Sequence, residues 1–140
     1  MEKWIAYAVL AMVFAGVTSV IAKIGLTGIS GETGLAIRTC FVFVFVLALA
    51  GALAPLAELR HVTRHNLFWL GASGATTTLS WWFYYRALKL GEVSTIALID
   101  KASFVVAVLC AWLFLKEEIT ARVLVGGALI LAGLFVVARK

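Results

Sequence analysis

Asp100 and Lys101 stand side by side as the only charged residues between positions 94 and 115, a stretch that reads STIALIDKASFVVAVLCAWLFL. A charge placed in hydrocarbon costs several kcal/mol, so such residues face a cavity, a partner or water. A carboxylate in that position can take up and release a proton, which makes Asp100 the candidate proton-coupling group. Lys101 offers a positive charge to an anionic group. Neighbours on a helix point about 100° apart, so each of the two is expected to find its partner elsewhere. If the span starts later than residue 94, both sit at the membrane interface instead.

Further candidates for substrate contact flank this pair. Lys23 and Arg38 bracket one short connection and so belong to the same side of the membrane. They either point into a cavity, towards an anion or Asp100, or anchor the chain among headgroups. Glu32, between them, is the expected partner of Arg38. Ser73, Thr77, Trp81 and Tyr84 recur at i, i+4, i+8 and i+11, a hydroxyl and aromatic stripe along one helix face. Thr76, Thr78 and Ser80 add polarity beside it. A cavity wall has use for such a stripe, since hydroxyls bond a ligand and rings stack on it; Tyr84 and Tyr85 also suit an interfacial aromatic belt. Ala15, Ser19 and Lys23 form a small-residue seam along which another helix can approach.

The elements that must position these residues are membrane helices. Hydrophobic residues make up 64% of the 140, mean hydropathy is +1.07 and 14% are charged. Soluble domains average about a quarter charged residues, so this composition excludes that class. Residues 4–22, 39–57 and 67–85 are free of charged side chains, each near the length of about 20 that crosses a bilayer as a helix. Runs 102–115 and 123–138 are shorter; the first reaches full length with Asp100 and Lys101 inside it, and Arg122 and Arg139 snorkel from the ends of the second. The fold class is an all-α membrane protein of five transmembrane helices, near 4–25, 35–58, 67–89, 94–115 and 121–138. The alternation of a membrane barrel is missing. The first run is longer than the apolar core of a signal peptide and four spans follow it, so it counts as a helix. Short connections at 26–34, 59–66, 90–93 and 116–120 make residues 1–140 a single transmembrane domain.

Enzyme chemistry finds no foothold: there is no phosphate loop, nucleophile elbow or metal-ligand cluster, and no catalytic residue, metal, cofactor or nucleic-acid partner is expected. Cys40 and Cys110 read as small apolar filler. Arg60, His61, Arg64 and His65 read as a solvated, headgroup-facing loop. Gly126 and Gly133, seven apart, let a neighbouring helix approach closely and are the candidate dimer-packing residues.

An odd number of spans puts the termini on opposite sides. The N-terminal side then carries Lys3, Arg60, Arg64, Lys116 and Arg122; the other carries Arg86, Lys89, Arg139 and Lys140, with Lys23 and Arg38 at the boundary. So even a distribution gives the positive-inside rule little to act on. Insertion in both orientations and pairing with an inverted copy follow, and ten helices build the cavity that five build poorly.

Five pieces of the chain, in order, carry a resemblance. They are Ala22-Lys23-Ile24-Gly25, Ala36-Ile37-Arg38-Thr39, the run from Trp81 to Tyr85-Arg86-Ala87-Leu88, Ile99-Asp100-Lys101, and Leu113-Phe114-Leu115-Lys116-Glu117-Glu118 followed by a glycine-bearing helix. The whole chain resembles single-domain members of the EamA-like family of the drug/metabolite transporter superfamily. That resemblance implies half of a ten-helix inverted-repeat fold and the export of metabolites, amino acids or drugs. Leu98 stands where the family pattern has a proline, which leaves the fourth span either continuous or broken near Asp100.

The expected function is a secondary transporter of small metabolites, working as an inverted, dual-topology homodimer by alternating access, multi-pass in the cell inner membrane. Its partners are the lipid bilayer, a second copy and a small-molecule substrate. Lys23, Arg38, Arg86 and Lys101 outnumber Asp100 around the cavity, so the substrate is expected to be anionic or zwitterionic. The alternatives are a small multidrug exporter of lipophilic cations and a non-transporting membrane subunit of a heteromer.

Overall fold

Ser30 and Thr63 decide where two of the long helices begin. A helix start leaves amide groups without partners, and a side-chain oxygen at the residue before it takes one up. The Ser30 hydroxyl accepts from the Thr33 amide at 3.1 Å, and α2 (Gly31–Leu53) starts there. Thr63 and Asn66 exchange bonds: the Thr63 amide donates to Asn66 Oδ1 at 3.0 Å and the Asn66 amide to Thr63 Oγ1 at 3.2 Å. That reciprocal cap opens α3 (Arg64–Leu90). The computed structural model describes residues 3–138, which are helical almost throughout, without a strand among them. The remaining elements are α1 (Lys3–Gly25), a 3-10 turn (Leu56–His61), α4 (Val93–Lys101), α5 (Ser103–Cys110), a π turn (Ala111–Leu115) and α6 (Ala121–Ala138).

The caps move two boundaries from where apolar runs alone put them. The second helix runs from 31 to 53, earlier at both ends than 35–58, because Ser30 caps it and Pro55 forbids its continuation; Ala54, before the proline, is extended at φ −91°, ψ 125°. The third begins at Arg64, so Arg64 and His65 form its first turn, and His65 Nε2 accepts from the indole of Trp69 at 2.9 Å. Arg139 and Lys140 lie outside the described residues.

Three helical stretches are long and apolar enough to cross a membrane: Lys3–Gly25, Gly31–Leu53 and Val93–Leu115. Ala121–Val137 is apolar but shorter. With 27 residues α3 has the length but not the apolarity, since its middle carries the hydroxyl stripe.

The chain separates into two units. Residues 21–90 form one, holding the end of α1, α2, the 3-10 turn and α3. Here α2 runs antiparallel to α3, and Leu88 is fully buried with Leu26 and Tyr85 nearly so. The two helices come close at Gly31, where an added Cβ would lie 3.1 Å from the Tyr85 carbonyl oxygen. Gly28 turns the chain between α1 and α2 at φ 78°, a left-handed conformation that favours glycine.

The other unit holds residues 1–20 and 91–140. Within it the fourth span tightens at Ala102, immediately after Lys101, while keeping right-handed helical backbone angles. The Ala102 amide reaches the Ile99 carbonyl at 2.9 Å and the Val105 amide the Ala102 carbonyl at 3.0 Å, three residues back in each case. A tight turn therefore separates α4 from α5 with no proline present. The helix then widens: the Lys116 amide reaches back to the Ala111 carbonyl, and Lys116 itself is left-handed at φ 55°. In α6 the glycine that accommodates a neighbour is Gly127, where an added Cβ would lie 3.0 Å from the Phe104 ring of α5. At Gly126 and Gly133 a Cβ would meet nothing within 4 Å.

Candidate functional site

Three helix ends meet in the unit of residues 21–90: the end of α1, the start of α2 and the end of α3. The last carbonyls of a helix lack intrahelical donors, and two lysines supply them crosswise. Lys23, from the last turn of α1, donates to the Leu88 carbonyl in the last turn of α3. Lys89, from α3, donates to the Leu26 carbonyl just beyond α1 at 3.1 Å. Each ammonium also sits at the negative end of the other helix's dipole.

Arg38 lies about two turns into α2. Its guanidinium carbon is 4.1 Å from the centre of the Trp81 ring and 5.9 Å from that of Tyr85. A guanidinium stacks well on aromatic faces, being planar and weakly hydrated. Its Nη1 is buried and has no hydrogen-bond partner among the described residues. A buried donor in that condition is costly and is matched in chemistry by an acceptor arriving from outside the chain.

Glu32 pairs with Arg86 rather than with Arg38: the Arg86 Nε–Glu32 Oε1 distance is 3.4 Å, with both side chains half exposed. The reason is helical phase. Because α2 starts at Gly31, Glu32 lies in its first turn, and six residues later Arg38 has rotated about 120° away. Arg86 further spans back over the Trp82 ring at 5.0 Å.

Ser73, Thr77, Trp81 and Tyr84 share one face of α3, at whose edge Arg38 meets Trp81. Ser73 and Thr77 are exposed, and Trp81 and Tyr84 are half-buried. The Thr76 and Thr77 hydroxyls both donate to the Ser73 carbonyl, at 2.9 and 2.8 Å, and the Thr78 hydroxyl to the Gly74 carbonyl at 2.9 Å. Their hydrogens are committed to the helix backbone. Ser19, in the proposed small-residue seam, is buried and bonds the Ala15 carbonyl at 3.1 Å.

Asp100 and Lys101 belong to the other unit, and there they find each other. Lys101 Nζ lies 3.6 Å from Asp100 Oδ2. Their side chains leave the helix in different directions, but the long flexible lysine stem folds back, and the helix ends at this point. Both side chains remain well exposed.

Sequence reasoning passed over Tyr85 as a ring for Arg38, over the Glu32–Arg86 pair and over Lys89 as a helix-end donor. Lys89 had a legible signal, a lysine one residue before the end of a helix. Tyr85 had one in hindsight: Trp81 and Tyr85 are four apart and so face the same neighbour.

Residues 2–139 match the EamA-like transporter family. The chain is also 32% identical over 137 residues to a protein of Sinorhizobium sp described as an uncharacterized transporter in the cobO 3'region, a match covering 98% of this chain and 97% of that relative. No solved structure matches.

Proposed function

The chain belongs to the EamA-like transporter family and is a membrane transporter; from that premise we propose that it carries small anionic or zwitterionic metabolites. It works as a secondary transporter by alternating access, as an antiparallel homodimer in the cell inner membrane, each copy contributing one five-helix domain of residues 1–140. Arg38 carries the reading. A guanidinium held on two aromatic rings with a buried, unmatched N–H is a receptor for a carboxylate, which a planar fork binds with two parallel bonds.

The remaining roles follow from position. Trp81 and Tyr84 stack on the apolar part of the substrate, while Ser73 and Thr77 accept hydrogen bonds. In the other unit Asp100 exchanges the proton, with Lys101 as its charge partner. Lys23 completes the positive end of the site, through the charge it brings to the helix ends. Gly126 and Gly133, open on the surface of α6, admit the second copy. A multidrug exporter of lipophilic cations is less well served, because Asp100 is matched by Lys101 and offers no lone carboxylate.

The test is counterflow in liposomes with a panel of organic acids, amino acids and quaternary ammonium compounds, using the wild type, Arg38→Lys and Arg38→Ala. Acids or amino acids should be carried, with Arg38→Lys impaired and Arg38→Ala inactive. Transport of quaternary cations alone refutes the anion-binding reading. For topology, Val62→Cys in a version with Cys40 and Cys110 replaced by alanine should be labelled from both sides of the membrane; labelling from one side sinks the antiparallel dimer.

A further inference from the structure

We infer that Arg60 and Arg64, with His61 and His65 beside them, form a docking site for the headgroup of an anionic phospholipid, at the bilayer edge between α2 and α3. Two features place these residues at headgroup depth. With 23 residues at 1.5 Å each, α2 measures about 35 Å, more than the roughly 30 Å of hydrocarbon it crosses, so its end at Leu53 reaches the interface. The 3-10 turn follows directly, and its residues Leu59 to His61 are exposed. From the other direction, Phe68 and Trp69 are exposed and stand edge to face at 5.5 Å. Exposed tryptophan on a membrane protein marks the boundary between hydrocarbon and headgroups. Arg64 lies five residues before Trp69, about 7 Å along the axis of α3.

The chemistry at that depth suits a phosphodiester. Among the described residues neither Arg60 nor Arg64 is in an ion pair, the two ion pairs lying at Glu32–Arg86 and Asp100–Lys101. A guanidinium offers a planar fork that binds two phosphate oxygens at once. Glu58 is the one acidic residue nearby. In a 3-10 helix side chains three apart eclipse, so Glu58 shares a side with His61 and Arg60 leaves on another. The Trp69 indole donates to His65 Nε2 at 2.9 Å, which leaves Nδ1 of that ring to carry a hydrogen and donate. Two guanidiniums against one carboxylate keep the patch positive. That selects a lipid whose phosphate charge is uncompensated, such as phosphatidylglycerol, over phosphatidylcholine, whose trimethylammonium opposes the arginines. Leu59 and Val62, exposed in and just after the same turn, find cover in the acyl boundary.

The full-length protein in detergent, supplied with equimolar phosphatidylglycerol and phosphatidylcholine, tests this by native mass spectrometry of the bound lipids. Phosphatidylglycerol should be preferred by the wild type. In the double variant Arg60→Gln, Arg64→Gln its binding constant should fall by roughly 25-fold, about fivefold for each arginine, with phosphatidylcholine unchanged. The double variant Lys116→Gln, Arg122→Gln removes the same charge from two exposed positions elsewhere and should keep the preference. Added ammonium acetate should weaken phosphatidylglycerol binding to the wild type and leave phosphatidylcholine binding as it was, a result that needs no variant to fold.

Equal binding of the two lipids by the wild type overturns the inference, as does a preference that survives in Arg60→Gln, Arg64→Gln or resists salt. An equal loss in Lys116→Gln, Arg122→Gln would show attraction by net charge and no site in this turn. Displacement of the lipid by an equal concentration of glycerol 3-phosphate would make the ligand a free phosphate and overturn the lipid assignment.

Discussion

Replacing Gly31 with alanine tests the joint on which the candidate site depends. The new Cβ would lie 3.1 Å from the carbonyl oxygen of Tyr85, 3.2 Å from its carbonyl carbon and 3.3 Å from the Arg86 amide nitrogen. All three are backbone atoms of a regular helix and cannot swing aside. The start of α2 must therefore retreat by a few tenths of an ångström, next to the Glu32–Arg86 pair and one to two turns from Arg38. Overpacking of this kind costs about 1–3 kcal/mol. Alanine returns at most about 1 kcal/mol through its better helix propensity, and less than that in a first turn. A net loss of about 1–2 kcal/mol lowers the folded-to-unfolded ratio by roughly 5–30-fold. Thermal unfolding in detergent reads the change, with Gly51→Ala as the control on the same helix. A Cβ at Gly51 meets nothing within 4 Å, so that variant should be neutral or up to about 1 kcal/mol more stable. Equal stability of Gly31→Ala and the wild type would refute the close approach; an equal fall in both variants would show that glycine is needed along α2 for another reason.

Lys116→Gly should raise thermal stability by up to about 1 kcal/mol, since a left-handed φ of 55° strains any side-chain-bearing residue; a lower midpoint would mean that the ammonium matters more than the backbone. Lys23→Met and Lys89→Met should each cost about 1.5–3 kcal/mol in the same assay, the range for hydrogen bonds made by charged groups, and unchanged midpoints would dissolve the crosswise arrangement. Asp100→Asn should abolish transport, and wild-type rates in liposomes would remove Asp100 from the mechanism.

The helices themselves were legible in the sequence, because a run of apolar residues long enough to cross hydrocarbon has few other uses. Their ends were less so. Ser30 and Pro55 sit outside the runs being counted, and they, not hydropathy, set the limits of α2. The pairing of charges depended on helical phase: once α2 begins at Gly31, Glu32 faces Arg86 and Arg38 faces the rings. Asp100 and Lys101 were expected to diverge, an inference from Cβ directions that neglected the reach of a lysine stem. The spacing of Ser73 and Thr77 makes the hydroxyl stripe on α3 legible, whereas the direction of its hydrogens is set by the carbonyls one turn back along the folded helix.

The crosswise bonds of Lys23 and Lys89 end on main-chain carbonyls, at Leu26 and Leu88. Every amino acid brings the same carbonyl, so the bonds themselves ask nothing of the side chains at the gripped positions, which burial alone keeps apolar, while the gripping positions must keep a long cationic arm. A comparison of sequences that searches for paired substitutions would pass over this joint, since no change at residue 26 or 88 calls for an answering change at 89 or 23. Its mark would be two basic positions that hold steady independently, each looking like an isolated surface charge.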